Sequence, residues 1–305
     1  MAEAVDGLLG QLGPEIQDPE EEAFLLFSQS IPSHNELGII DPKASTLELT
    51  VNGRDLTVIQ SPSVLSSNRA GGTTGAVVWK VTPMVASWLA SPKNVLFRTG
   101  VLSASSTVLE LGCGVSALVA LALGPLVSRY VLSDQPYVAR FVEQNLDQNR
   151  GPPPARPAGK SRGRGKASTS SSSSGAGGSI AFHPLDWEAD VPTAELTGRR
   201  AAARSFDLVL GCDCVYNEAL VPPFAQTCLD VCRLRSADGG GPEGGAVRPP
   251  CVCLVAQQLR DPEIFEAWLR EFCRKGFRVW RVPDGELPEG IRSNMGFVVH
   301  VCVLP

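Results

Sequence analysis

The sequence predicts a doubly wound α/β fold with a mostly parallel sheet of seven strands. From Thr107 onward, short apolar runs typical of buried strands alternate with longer amphipathic segments typical of helices. Such alternation places helices on both faces of a parallel sheet. The last two strands are separated by a loop without a helix, so we expect them to pair as an antiparallel edge hairpin. The predicted strands are 107–112, 129–134, 179–183, 206–212, 251–256, 277–282 and 297–303, and the predicted helices are 115–124, 136–149, 218–234 and 262–275.

A small N-terminal extension, residues 1–75, is expected to pack on a main domain that covers residues 76–305. A helix should start at Pro19, because proline suits a first helical position and the three following glutamates lie at the positive end of the helix dipole. Two alternating segments flank Asn52-Gly53, which is a strong signal for a β-hairpin. A polar, glycine-rich loop completes the extension.

Two low-complexity segments, 151–179 and 237–250, interrupt the main domain. The first is rich in serine, glycine and proline and carries five Lys or Arg residues and no acid. Its composition predicts disorder, so we expect both segments to loop out of one domain. The basic segment could contact RNA or an acidic partner, but a solvated linker is the favoured interpretation.

Composition limits the classes of partner and compartment. The 305 residues carry a formal net charge of −5, which gives no overall attraction to nucleic acid, so no direct nucleic-acid binding is expected. The first residues lack a basic region followed by an apolar core, so we expect no signal peptide, and we expect no membrane-spanning helix because no apolar run is long enough. Nine cysteines without a C-x-x-C pair suggest buried free thiols and no metal site. We therefore expect a monomer in the cytoplasm, with an additional nuclear location as the alternative.

The stretch T-V-L-E-L-G-C-G, residues 107–114, is the most informative part of the chain. A buried strand leads into Gly112-Cys113-Gly114, where a glycine turn lets a ligand approach bare backbone. The following helix is expected to point its free N–H groups at that ligand. About twenty residues further on, Asp134 ends the next strand, where an acid accepts hydrogen bonds from ribose hydroxyls. The sequence therefore predicts a ribose-bearing ligand.

Glu110 distinguishes between two ligands of this kind. Gly112-x-Gly114-x-x-Ala117 also fits the weak dinucleotide pattern. A carboxylate at Glu110, close to the ligand, would repel a pyrophosphate and attract an ammonium group. S-adenosylmethionine carries an ammonium group and a ribose and has no phosphate, so it is the favoured ligand.

Further candidate residues follow the later strands. Asp213 ends the strand of F-D-L-V-L-G-C-D-C-V-Y, and Tyr216 lies three residues on, so the pair could hold an amine. Asp213 could equally be a helix N-cap, and Tyr216 part of the core. Asp186-Trp187 could frame an adenine ring, although Trp187 could instead be an ordinary aromatic. Trp79 could cover the cofactor or belong to the core.

The order of these motifs resembles the Asp-x-x-Tyr protein lysine methyltransferases, which have a seven-strand, Rossmann-like sheet. The stretch S-P-S-V-L-S-S-N-R-A-G-G-T-T-G-A-V-V-W-K-V-T-P closely resembles the fungal ribosomal protein lysine methyltransferase 5 family. The resemblance covers most of residues 20–305 apart from the two low-complexity segments. It implies an S-adenosylmethionine-dependent enzyme that methylates a lysine of a protein, with a large-subunit ribosomal protein as the expected substrate.

The resemblance also implies roles for individual residues. The cofactor would be contacted by Trp79, by the Gly112, Cys113 and Gly114 loop with Glu110 at its methionine end, by Asp134 at the ribose, by Trp187 at the adenine and by the backbone of Cys212. Asp213 and Tyr216 would face the target lysine, and Asp213 would bind and aim the amine while its proton leaves to water. The competing interpretations are a non-catalytic S-adenosylmethionine-binding or assembly protein, and a methyltransferase that acts on RNA or a small molecule.

Overall fold

The computed structural model describes residues 2–31, 37–69, 72–150, 178–198, 204–238 and 248–305. The two predicted low-complexity insertions, 151–179 and 237–250, lie outside the described residues apart from a few positions at their edges. The expectations that they are disordered and that they loop out of one domain stay predictions.

A seven-stranded sheet forms the centre of the described structure, and its strand order is β5-β4-β3-β6-β7-β9-β8. Five neighbouring strands are parallel, whereas β9 is antiparallel to both β7 and β8. The predicted fold class and the antiparallel pairing of the last two strands are therefore confirmed. The strands are β1 Thr46–Val51, β2 Arg54–Ile59, β3 Thr107–Leu111, β4 Arg129–Asp134, β5 Ser179–Pro184, β6 Leu208–Cys212, β7 Val252–Gln258, β8 Arg278–Arg281 and β9 Phe297–Val303.

Helices cover both faces of this sheet. Residues of α4, α6 and α7 belong to one apolar core, and residues of α2, α8 and α9 belong to a second. No helix of the described ranges is both long enough and apolar enough to cross a membrane. The helices are α1 Ala2–Leu9, α2 Pro19–Phe27, α3 Pro62–Leu65, α4 Val81–Leu89, α5 Val95–Arg98, α6 Leu118–Leu123, α7 Ala139–Gln148, α8 Val221–Asp238 and α9 Pro262–Arg274.

The predicted N-terminal hairpin is present and lies against the main sheet's helix α7. Its turn residues, Asn52 and Gly53, have φ values of 50° and 74°, the left-handed conformation that favours these residue types. The side-chain amide of Asn145 both accepts from and donates to the main chain of β2 at Ile59, at 2.7 and 2.8 Å. Asn149 makes the same pair of bonds with the main chain of Thr57, two residues earlier in the strand. These bonds satisfy main-chain groups of β2 and fix the hairpin against the C-terminal end of α7.

Candidate active site

A pocket with about 870 Å³ of empty space lies at the carboxyl ends of β3, β4 and β6. This edge of a parallel sheet is where such folds bind ligands. Nine of the ten predicted site residues line it: Trp79, Gly112, Cys113, Gly114, Asp134, Trp187, Cys212, Asp213 and Tyr216. Asp186 also lines the pocket, and Glu110 does not.

The loop between β3 and α6 depends on glycine for its shape. Gly112 and Gly114 have φ values of 66° and 58°. A Cβ atom on Gly112 would lie 2.8 Å from the sulfur of Cys214 and 3.0 Å from a ring carbon of Trp187. Ala117 is also left-handed, at φ 52°, so α6 begins at Leu118 and not at residue 115 as predicted. The start of the helix was wrong because the turn takes three more residues than expected.

The N–H groups of this loop bind other parts of the protein. Val115 donates to the carbonyl oxygen of Gly75 at 2.8 Å, Gly114 donates to the carboxylate of Asp134 at 2.8 Å, and Cys113 donates to a carbonyl oxygen at the end of β4. These three N–H groups lie in the turn before α6 and are already bonded within the protein, so the expectation that the N-terminus of the helix faces the ligand stays a prediction. The bonds hold the glycine loop in a fixed position against β4.

Asp134 has the chemistry that a ribose requires. Its two carboxylate oxygens accept hydrogen bonds from the N–H groups of Gly114 and Gln135, at 2.8 and 2.7 Å. A carboxylate can accept about four hydrogen bonds, so two sites remain for hydroxyl groups. Burial raises the pKa of Asp134 to about 6, against the opposing effect of the two N–H bonds. The group is therefore mainly ionised at neutral pH and can accept from both hydroxyls of a ribose.

Trp187 forms another wall of the pocket beside Gly112. Its ring packs against Phe224, with 5.1 Å between ring centroids. Its indole Nε1 is buried and has no hydrogen-bond partner among the described residues. A buried donor without a partner is costly, so a ligand with an acceptor at this position would be stabilised. The expectation that Trp187 lies beside the adenine ring of the cofactor stays a prediction.

Glu110 does not occupy the position that the electrostatic argument assigned to it. Its side chain is buried, and its carboxyl group accepts a hydrogen bond from the hydroxyl of Tyr130 at 2.7 Å. Burial raises the pKa of Glu110 to about 8, so the group is mostly protonated at neutral pH. The expectation that Glu110 places a carboxylate at the methionine end of the ligand is therefore wrong. The side chain is buried against Tyr130 of β4 and does not line the pocket.

Asp213 lies just beyond β6 in the left-handed conformation, with φ 59°. Its carboxylate pairs with both terminal nitrogens of Arg260, at 2.7 and 2.6 Å, and it accepts a further bond from the N–H of Gln258 at 3.2 Å. The alternative role as a helix N-cap is excluded, since Asn217 caps the following turn through the N–H of Ala219.

Tyr216 is connected to Trp79 through a residue that the sequence analysis did not select. The hydroxyl of Thr74 donates to the phenol oxygen of Tyr216 at 2.9 Å, and the carbonyl of Thr74 accepts from the indole of Trp79 at 3.0 Å. Burial raises the pKa of Tyr216, so the phenol stays protonated. The conspicuous G-G-T-T-G run could have indicated Thr74. Arg260 had no such signal, because its partner is 47 residues away.

These features together define a class of protein. A seven-stranded sheet with an antiparallel end, a glycine loop after β3, an acid after β4 and an aromatic wall form an S-adenosylmethionine-dependent methyltransferase fold. A family model described as lysine methyltransferase matches residues 168–237.

Comparison with curated proteins identifies the family. The chain is 30% identical over 239 residues to ribosomal lysine N-methyltransferase 5 of Eremothecium gossypii. This alignment covers 70% of this chain and 71% of that protein. The protein of the same name from Zygosaccharomyces rouxii is 27% identical over 231 residues, covering 70% of this chain and 69% of the relative. The chain belongs to the ribosomal lysine N-methyltransferase 5 family.

Two other similarities have a narrower meaning. A Schizosaccharomyces pombe protein named diaminohydroxyphosphoribosylamino-pyrimidine deaminase is 29% identical over 248 residues, and the chain spans about half of its length, 49%, with 81% of this chain covered. The solved N-methyltransferase NodS of Bradyrhizobium japonicum, in complex with S-adenosylhomocysteine, aligns at a TM-score of 0.37 and 12% identity, over 66% of this chain and 79% of that chain. That structural similarity is too low to carry an argument.

Proposed function

We propose that the chain transfers a methyl group from S-adenosylmethionine to the side-chain amine of a lysine, and that a ribosomal protein of the large subunit supplies this lysine. One observation carries the proposal. Asp213 and Tyr216 line the same pocket as the glycine loop and Asp134, so an amine held by the first pair would lie next to a cofactor held by the second. The names of the relatives support the ribosomal substrate.

The residues of the pocket would divide the work between cofactor and acceptor. Asp134 would hold the ribose of the cofactor and Trp187 would lie beside its adenine. The main chain of the Gly112–Gly114 loop would contact the rest of the cofactor. The bound cofactor supplies a methyl group on a positively charged sulfur. Tyr216 would form an aromatic wall for the aliphatic part of the lysine, and Asp213 would accept a hydrogen bond from its amine.

The acceptor amine must lose a proton before it can react. A lysine amine has a pKa near 10.4 in water, so only a small fraction is neutral at pH 7. In the proposed step the nitrogen lone pair forms the new bond to carbon, the carbon–sulfur bond breaks with its electron pair left on sulfur, and the ammonium proton has already passed to water. The pocket's contribution is to orient the amine and to favour its neutral form.

The remaining interpretations predict different products. A non-catalytic binding protein would bind S-adenosylhomocysteine and transfer nothing, and an RNA methyltransferase would label ribosomal RNA. Both remain outcomes of the test.

Among the described residues no group of His, Cys, Asp or Glu side chains could hold a metal ion.

The test uses labelled S-adenosylmethionine and salt-washed large ribosomal subunits from a Saccharomyces cerevisiae strain that lacks its own ribosomal lysine N-methyltransferase 5. We expect label in one protein band and a methyl-lysine in that protein by mass spectrometry. Asp213→Ala is the matched control, since it leaves the glycine loop intact. Label that appears only in RNA, or no label at all, would refute the proposal, and equal label with the Asp213→Ala protein would refute the role given to Asp213.

A further inference from the structure

The carboxylate of Asp213 does not face the pocket as an isolated charge. Both of its oxygens are paired with the guanidinium of Arg260, at 2.7 and 2.6 Å. The side chain of Asp213 is 2% exposed and that of Arg260 is 22% exposed, so the pair is largely removed from water. Two parallel bonds of this kind fix both orientation and charge balance. The amine-binding acid of the proposed reaction is therefore charge-compensated.

Arg260 is itself held from several sides. Its guanidinium carbon lies 5.1 Å from the centre of the Trp79 ring, its Nε donates to the carbonyl oxygen of Leu37 at 3.0 Å, and one terminal nitrogen donates to the side chain of Gln258 at 3.1 Å. A guanidinium with three such neighbours has little freedom to rotate away. The pair is a built feature of the site and not a flexible surface contact.

The position of Arg260 leaves room for an acceptor. Asp213 lines the main pocket, whereas Arg260 lines a smaller neighbouring cavity of about 290 Å³ and is not part of the main pocket's lining. Tyr216 lines both cavities. The guanidinium therefore reaches the carboxylate from the second cavity. A carboxylate accepts about four bonds, and three are made here, so one site remains for an amine N–H.

We propose that Arg260 is a positioning residue for methyl transfer: by compensating the charge of Asp213, it lets that carboxylate aim the acceptor amine without stabilising its protonated form. This inference rests on the proposed function. A lone buried carboxylate would favour the ammonium ion and raise the pKa of the acceptor, which would oppose the reaction. A carboxylate already paired with a fixed cation keeps its hydrogen-bonding capacity and loses most of that effect.

Other titratable groups around Asp213 must be considered in a pH experiment. Burial raises the pKa of the neighbouring thiols of Cys212 and Cys214 and of the Tyr216 phenol, so these groups are neutral near pH 7. From β3, Glu110 has a pKa of about 8, and from the end of β4, Asp134 has a pKa of about 6. These five groups are the same in the wild type and in variants at position 260, so a difference between the profiles reports the guanidinium.

The experiment compares Arg260→Gln with Arg260→Lys on the ribosomal subunits described above. Single-turnover methylation is measured from pH 6.5 to 10, and S-adenosylhomocysteine affinity is measured by calorimetry on the same proteins. We expect Arg260→Gln to move the rate midpoint upward by about one pH unit and to lower the rate at pH 7.5 about tenfold, with recovery at high pH. Arg260→Lys retains the charge and should stay close to the wild-type midpoint, with cofactor affinity unchanged in both variants.

A second variant tests the origin of the shift. Adding Asp213→Asn to Arg260→Gln removes the uncompensated carboxylate, so the midpoint should return towards the wild-type value although the rate stays low. An unchanged midpoint in Arg260→Gln would overturn the inference. A lower KM with the same midpoint would also overturn it, because Arg260 would then compete with the acceptor. If Arg260→Gln and Arg260→Lys both lose activity at every pH, Arg260 has a structural role and the inference is overturned. If the wild type itself methylates no lysine, the proposed function fails together with this inference.

Discussion

Replacement of Gly112 by alanine tests whether the glycine loop is as constrained as its geometry indicates. Gly112 has a φ of 66°, where a residue with a side chain is strained. The added methyl group would lie 2.8 Å from the sulfur of Cys214 and 3.0 Å from a ring carbon of Trp187. Both neighbours are packed beside the pocket, so relief of the contact would move the wall that is predicted to hold the adenine.

The expected cost has two parts. The left-handed conformation costs an alanine about 1–2 kcal/mol, and overpacking against two well-packed side chains costs about 1–3 kcal/mol more. Gly112→Ala should therefore lower the free energy of unfolding by about 2–5 kcal/mol. A displaced Trp187 should also weaken S-adenosylhomocysteine binding by about tenfold or more, which corresponds to the loss of roughly one good contact.

Gly53→Ala is the matched control. Gly53 has a similar φ of 74°, but nothing lies within 4 Å of its added methyl group, and it belongs to the hairpin turn and does not line the pocket. It should show only the backbone cost of about 1–2 kcal/mol and normal cofactor affinity. Urea unfolding and calorimetry on the three proteins measure both quantities. Equal destabilisation by the two substitutions, with cofactor affinity retained in Gly112→Ala, would refute the reasoning.

The remaining predictions concern four other parts of the chain. Asp134→Ala should weaken S-adenosylhomocysteine binding by about 1–3 kcal/mol in calorimetry, and wild-type affinity should fall as the pH drops through about 6, since the protonated acid loses acceptor capacity; a pH-independent affinity would contradict this. Tyr216→Phe should slow single-turnover methylation less than Asp213→Ala does, because the aromatic wall is kept; the opposite order would assign the main role to the hydroxyl. Replacing residues 153–177 by a short Gly/Ser linker should leave melting temperature and cofactor binding intact, and a large fall in melting temperature would show that the segment packs on the domain. Glu110→Gln should remove part of the pH dependence of stability. The folded-state pKa of Glu110 is about 8 against an ordinary 4.5, so the wild type loses stability as the pH rises from 4.5 to 8, because its unfolded form has already released the proton. Identical urea midpoints for both proteins at pH 5 and pH 8 would argue against this.

The elements that the sequence predicted well carry their cause within a few neighbouring residues. Asn52-Gly53 imposes a left-handed turn wherever it lies between two strands, and the buried run of β3 needs no partner to be recognised. The start of α6 was missed because the left-handed conformation of Ala117 is imposed by the packed loop and not by alanine's own preference. Arg260 was missed for a similar reason, since the ion pair with Asp213 exists only after β6 and β7 lie side by side.

Glu110 shows how a correct class can follow from an incorrect electrostatic step. The sequence argument used its carboxylate to exclude a pyrophosphate and to attract an ammonium group. In the structure the group is buried, bonded to Tyr130 and mostly protonated at neutral pH, so it offers the ligand little charge. The preference for S-adenosylmethionine rests instead on the family to which the chain belongs, because an acid at the position of Asp134 accepts hydrogen bonds from the ribose of either ligand.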